Sequence, residues 1–142
     1  MRSFQPDREE ALSPQTAYIV LSMMRDVVDH GTGFGARQAG FTVPAGGKTG
    51  TTNNYTDAWF VGYTPDLVCG VWVGFDRPQR IIGTGTGSLL ALPIWTEFMK
   101  VAYETITPRD FDSPADGLTT RLICKASGML ATKFCPQELV YT

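Results

Sequence analysis

The sequence predicts an α+β domain in which three antiparallel strands are flanked by helices. Two patterns carry that prediction. From Gly46 to Phe75 short segments rich in aromatic and β-branched residues alternate with turn residues. On either side, over about 13–30 and 90–106, apolar residues recur at helical spacing. A length of 142 residues and a hydrophobic content of 43% suit one compact domain with a real core.

Residues 1–12 are polar and without periodicity, and read as a lead-in. Ser13 is a good N-cap, and Pro14 falls at the first helical position, where its missing N–H is harmless. Ala17, Ile19, Val20, Leu21, Met23, Met24, Val27 and Val28 then give an apolar face broad enough to predict burial on most sides. His30-Gly31 closes the helix, with Gly31 expected as a left-handed cap. Gly31-Thr32-Gly33-Phe34-Gly35-Ala36 follows a helix rather than a strand, so it reads as a flexible connector and not a dinucleotide turn. Gly83–Gly87 likewise lacks that fingerprint spacing.

Strands are predicted at Asp57–Tyr63 and Leu67–Phe75, joined by Thr64-Pro65-Asp66, where Pro65 presets its own φ. Both faces of these strands are apolar, which predicts helices on both sides of the sheet. The second helix is expected from about Leu90 to Ile106. Leu92, Trp95, Phe98, Met99, Ala102, Tyr103 and Ile106 lie on one stripe, and Pro93 sits in the first turn, the place where proline is tolerated. Arg109–Asp116 reads as a linker. A short strand at Leu118–Cys124, a turn at Ser127-Gly128 and a return at Met129–Ala131 make a tail too small for its own core.

Composition excludes several functions. The net charge is −2, from 12 basic and 14 acidic residues that are well mixed, so no basic stripe points to nucleic acid. No apolar run reaches membrane-spanning length, and Met1–Pro6 has no apolar segment behind its basic residue, so an export signal would lie on sequence beyond this chain. Cys69, Cys124 and Cys135 lack zinc-knuckle spacing, and His30 is the only histidine, so neither a metal nor a cofactor is predicted. Cys124 and Cys135 flank a glycine turn. They could pair in an oxidising compartment or remain two free thiols, and the sequence leaves both open.

The chemistry concentrates in Pro44–Asn54, where a lysine, three threonines and three glycines stand together. Glycines let another backbone approach, hydroxyls supply hydrogen bonds and the lysine a fixed charge, a combination that suits an anion beside a carbonyl. A phosphate-binding P-loop would need glycine six residues before its lysine, where Thr42 stands, and a helix directly after it. Two readings remain: a solvated edge strand, or the lysine–threonine–glycine strand of penicillin-recognising serine enzymes.

The neighbouring segments decide between them. Leu12-Ser13-Pro14-Gln15-Thr16-Ala17-Tyr18 is followed by Asp26-Val27-Val28 with Gly31-Thr32-Gly33, and then by Lys48-Thr49-Gly50-Thr51-Thr52-Asn53. After these come Asp57–Pro65, Val71-Trp72-Val73-Gly74 and Ala91-Leu92-Pro93-Ile94-Trp95. In this order they closely resemble the C-terminal part of the transpeptidase domain of class A, bifunctional penicillin-binding proteins. The resemblance runs from Leu12 to Ile106, with a weaker likeness in Ser127–Ala131 and Cys135-Pro136.

The resemblance implies part of a penicillin-recognising serine transpeptidase fold, with residues 1–107 belonging to that domain and 108–142 forming a linker and short β extension. It implies an acyl transfer on D-Ala-D-Ala stem peptides, with β-lactams as the competing ligands. Lys48 would be the cleft lysine. The hydroxyls of Thr49 and Thr51 would bind the substrate carboxylate, with Thr52 beside them. Gly50 would keep the strand slim, and the N–H of Thr51 would be one oxyanion donor. The parent protein would be membrane-anchored and act at the periplasmic or extracytoplasmic face.

One departure is large. The third residues after Ser3, Ser13, Ser22, Ser88, Ser113 and Ser127 are Pro6, Thr16, Arg25, Ala91, Asp116 and Leu130, so no Ser-x-x-Lys occurs, nor any Ser-x-Asn. The expectation is an incomplete domain that cannot acylate without its N-terminal half. The alternatives are a non-catalytic interaction piece, which should expose strand edges and apolar faces, or part of a serine β-lactamase-like protein.

Overall fold

The computed structural model describes residues 9, 11–124, 126–135 and the backbone of 140–141. Most of the expected lead-in therefore lies outside the described residues. Helix α1 spans Pro14–Asp29 and a short α2 spans Gly35–Gln38. Strands β1 (Gly46–Thr51), β2 (Asp57–Tyr63) and β3 (Val68–Gly74) form one antiparallel sheet in the order β1-β2-β3. Helix α3 covers Gly87–Ala102, and the tail holds β4 (Ile123–Cys124) paired with β5 (Val140–Tyr141).

The core lies between the sheet and the helices. Phe60 points inward from β2 against Trp95 of α3, ring centroids 5.0 Å apart, and Phe41 meets the same indole edge-on at 5.4 Å. Val28 closes the cluster from α1, and Ala91, Leu92 and Met99 from α3. These edge-to-face pairs add about 0.5–1.5 kcal/mol beyond the area they bury. The hydroxyl of Thr64 accepts the N–H of Leu67 at 3.1 Å and the phenol O–H of Tyr103 at 2.6 Å, which fixes the β2–β3 turn to the end of α3.

Several expectations are corrected. Helix α1 is not buried on most sides. Val28 is its one buried residue, while Met23 is 63% exposed and Ile19 and Val20 are also exposed, because its C-terminal end alone reaches the core. Gly31 is not a left-handed cap. His30 ends the helix at φ −139°, and Gly31 is glycine because a Cβ there would stand 3.0 Å from the Cα of Val27. Nor is 31–36 a loose connector: the Gly33 N–H donates to Val27 C=O at 2.8 Å, and the segment runs straight into α2.

Helix α3 begins three residues before its predicted start, because the hydroxyl of Thr86 caps it by accepting the Leu89 N–H. Pro93 therefore lies inside the helix rather than in its first turn. The helix also ends earlier, at Ala102, and Phe98 stands outside the buried stripe, 54% exposed. In the tail, the strand expected from Leu118 is limited to Ile123–Cys124. The predicted return is an isolated bridge from Leu130 to Ile123, across a turn in which Gly128 takes φ +68°.

The sheet supplies the largest correction. Ala58, Phe60 and Gly62 of β2 are buried against the helices, whereas Trp59 and Val61 on the other face are 44% and 45% exposed. The register carries this bare face across the sheet, placing Trp59 opposite Trp72, and Val61 opposite both Lys48 and Gly70. Helices α1 and α3 both meet the side that carries Phe60. Of the two apolar faces, one is covered.

The linker is anchored rather than free. Arg109 pairs with Asp66 at 2.8 Å, Arg25 with Asp110 at 3.0 Å, and Phe111 packs edge-on against Tyr63.

Candidate active-site strand

Strand β1 lies at an edge of the sheet, and small residues let it fit there. Gly47 faces the Phe60 ring, where a Cβ would stand 2.8 Å from Cζ. The five residues singled out in the sequence, Lys48 to Thr52, run along the outer half of this strand and into the turn that follows.

Their side chains divide between the two sides of the sheet. Lys48 is exposed on the bare face beside Val61, and its ammonium donates to the carbonyl of its own neighbour Thr49 at 3.0 Å. Among the described residues no carboxylate pairs with it. Thr49 and Thr51 turn toward the helices. The Thr49 hydroxyl lies 3.0 Å from that of Thr32, and the Thr51 hydroxyl accepts the N–H of Gly87, the first residue of α3, at 3.0 Å. Neither bond exhausts these groups. Thr51 keeps its O–H proton for another acceptor, and the Thr32–Thr49 pair uses one of its two protons.

Thr52 is placed differently. Its hydroxyl accepts the backbone N–H groups of Thr56 and Asp57, each at 3.0 Å, and lies 2.9 Å from the Thr56 hydroxyl. That oxygen is committed to the β1–β2 turn.

Backbone direction matters as much. The Thr52 N–H donates inward to Asp57 C=O at 3.2 Å. Alternation along an antiparallel strand then aims the N–H groups of Thr51 and Thr49 away from β2, at the free edge. That edge presents aimed donors flanked by a lysine on one side and hydroxyls on the other, a geometry that can hold an anion or an extended peptide.

Two partners escaped the sequence reading. Thr32 lies in the segment read as a connector, and its signal was the Gly31-Thr32-Gly33 likeness rather than any local chemistry. Gly87 had none, since its role depends on β1. Beyond the turn, Tyr55 takes φ +56° and stacks under Arg80, whose guanidinium carbon is 5.4 Å from the ring centroid, forming a rim at the end of β1. Among the described residues, no group of three or more His, Cys, Asp or Glu could hold a metal ion, and no helix is long and apolar enough to cross a membrane.

The family model described as the penicillin binding protein transpeptidase domain matches residues 2–100. The chain belongs to this transpeptidase family. Among curated relatives, penicillin-binding protein 1A of Neisseria gonorrhoeae is 47% identical over 93 residues, which is 66% of this chain and 12% of that protein. The Rickettsia bellii penicillin-binding protein 1A is 39% identical over 113 residues, 80% of this chain and 14% of its own. The crystal structure of penicillin-binding protein 1A from Haemophilus influenzae superposes with a TM-score of 0.75 at 28% identity, covering 86% of this chain and 19% of that one. This transpeptidase-family chain thus spans 12 to 14% of the length of these curated relatives, and its three strands with their helices are part of that fold.

Proposed function

We propose that this chain contributes one wall of a D,D-transpeptidase cleft, in which a serine held on another part of the domain transfers the acyl group of a D-Ala-D-Ala stem peptide. The observation that carries the reading is the free edge of β1, where the outward N–H of Thr51 lies between the Lys48 ammonium and the Thr49 and Thr51 hydroxyls. The Thr51 N–H would receive the developing oxyanion, and loss of one such donor typically removes ~3 kcal/mol of transition-state stabilisation. Lys48 supplies positive potential at the cleft. Thr49 and Thr51 bind the peptide carboxylate, or the acid group of a β-lactam, with their spare protons. Gly50 leaves room for the substrate strand, and Thr52 acts indirectly, by shaping the turn.

Residues 1–107 act as part of the catalytic domain and 108–142 as its extension, at the extracytoplasmic face. The bare sheet face of Trp59, Val61 and Trp72 supports a further element of the reading, that the remainder of the domain packs there. With no Ser-x-x-Lys in the sequence, the chain alone does not acylate.

The test is labelling with fluorescent penicillin. The chain alone should take no covalent label. Refolded with a polypeptide carrying the Ser-x-x-Lys and Ser-x-Asn segments of a class A relative, the mixture should label on that partner. Lys48→Ala should slow labelling by roughly 10²-fold or more, the scale of a lost electrostatic contact in a closed site. Label on this chain alone, or an unaffected Lys48→Ala mixture, overturns the proposal.

A further inference from the structure

Thr49 and Thr51 present the same group from the same side of β1, but different kinds of partner hold them. The Thr51 hydroxyl accepts the backbone N–H of Gly87 at 3.0 Å. An N–H can only donate, so the Thr51 O–H is always left over for a further acceptor. The Thr49 hydroxyl lies 3.0 Å from that of Thr32, and either oxygen of this pair can be the donor. If Thr49 donates, its one proton is spent on Thr32. If Thr32 donates, the Thr49 O–H is free. Whether Thr49 can grip an anion is therefore decided by a residue outside the strand.

Thr32 is held firmly enough to decide it. It follows α1 at a tight turn whose backbone is pinned on both sides of it. The Gly31 N–H donates to Asp26 C=O at 3.0 Å, the Gly33 N–H to Val27 C=O at 2.8 Å, and the Phe34 N–H to Gly31 C=O at 3.0 Å. Thr32 is exposed and Thr49 half-buried, so the pair stands at the surface rather than in the core. We infer that Thr32 is a positioning residue for acidic ligands: its hydroxyl donates to the Thr49 oxygen and so leaves the Thr49 O–H directed at the ligand's carboxylate. This rests on the reading of β1 as a wall of the cleft.

The arrangement selects for charge. A carboxylate can only accept, so it draws the Thr49 proton outward and the pair settles with Thr32 as donor. The resulting chain, from Thr32 O–H to Thr49 O–H to carboxylate, is charge-assisted and polarised along its length. An ester carbonyl also accepts, but without a full charge it draws less from the same chain. Valine at position 32 would keep the β-branched shape and leave the Thr49 oxygen without its donor, whereas serine would keep the donor.

The test uses the full chain refolded with the same serine-bearing polypeptide, and fluorescent penicillin at a series of concentrations. Benzylpenicillin and its methyl ester serve as competitors. Thr32→Val should raise the half-saturating concentration of the penicillin roughly 5-fold, the scale of one hydrogen bond, and change the maximum labelling rate less than about 2-fold. The preference for benzylpenicillin over its ester should fall by the same factor, and Thr32→Ser should restore both. In a Thr49→Val background Thr32→Val should add nothing, because the group it acts through is gone. Lys48→Ala separates the two levels of the argument. If it slows labelling, then an unchanged half-saturation in Thr32→Val, equal losses for acid and ester, no rescue by serine, or an undiminished effect beside Thr49→Val would each overturn the inference alone. If Lys48→Ala labels at the wild-type rate, the cleft reading falls and the inference falls with it.

Discussion

Substitution of Gly87 by alanine tests the junction that holds the end of β1. A Cβ at Gly87 would collide with the carbonyl oxygen of Trp59 and stand 2.8 Å from that of Gly50. Both obstacles are backbone atoms of paired strands, so neither can rotate away. Forcing a methyl group into a packed site costs typically 1–3 kcal/mol. Displacing α3 also stretches the 3.0 Å bond from the Gly87 N–H to the Thr51 hydroxyl, which contributes about 0.5–1.5 kcal/mol. Alanine's better helix propensity returns up to ~1 kcal/mol.

The net expectation for Gly87→Ala is a loss of roughly 2–3 kcal/mol from these terms together. The control is Gly83→Ala, where a Cβ meets nothing within 4 Å and φ is not positive. It should change stability by less than about 0.5 kcal/mol. Urea titration followed by tryptophan fluorescence reads both, because Trp95 is buried while Trp59 and Trp72 stand on the bare face. Equal midpoints for the two variants would refute the idea that α3 is seated directly on the strands.

Two further outcomes follow from the same packing. Trp95→Ala removes the ring that Phe41 and Phe60 both abut and should destabilise the chain by about 3–5 kcal/mol, enough to abolish a cooperative thermal transition in calorimetry. Ser13→Ala removes the hydroxyl that accepts the Thr16 N–H at 3.3 Å. It should lower the urea midpoint by an amount equivalent to about 1 kcal/mol, with restoration by Ser13→Asp.

The sheet was legible because its signals are local. Asp57–Tyr63 and the turn at Thr64-Pro65-Asp66 combine β-branched and aromatic residues with turn chemistry, and both lie where expected. The start of α3 was not, because Pro93 pulled the predicted boundary toward itself while the Thr86 cap and the Gly87 contact with Thr51 depend on distant strands. The breadth of the α1 face and the two apolar sheet faces misled in one shared way. An apolar pattern records that a surface needs cover, and it does not record whether the cover lies in the same stretch of chain. Ile19, Val20, Met23, Trp59, Val61 and Trp72 all fit a fully covered pattern and stand exposed. In the candidate site the identities of Lys48, Thr49 and Thr51 were legible, but their distribution between two sides of the strand was not, since it depends on the register with β2.

That distribution explains why small and hydroxyl residues alternate on β1. The strand is tied at two points on its helix side, Thr49 to Thr32 and Thr51 to the first N–H of α3. At its end, the Thr52 hydroxyl holds the turn through two backbone N–H groups. Each tie uses a hydroxyl and leaves the outward N–H groups free, so the strand is fixed without occupying its open edge. A valine at position 49 or 51 would keep the strand but lose its ties. A larger residue at Gly47 would push against Phe60 and β2. An edge strand held rigid from one side, with its donors aimed outward, is what a preorganised anion site requires, because donors already in place need no reorganisation when charge develops.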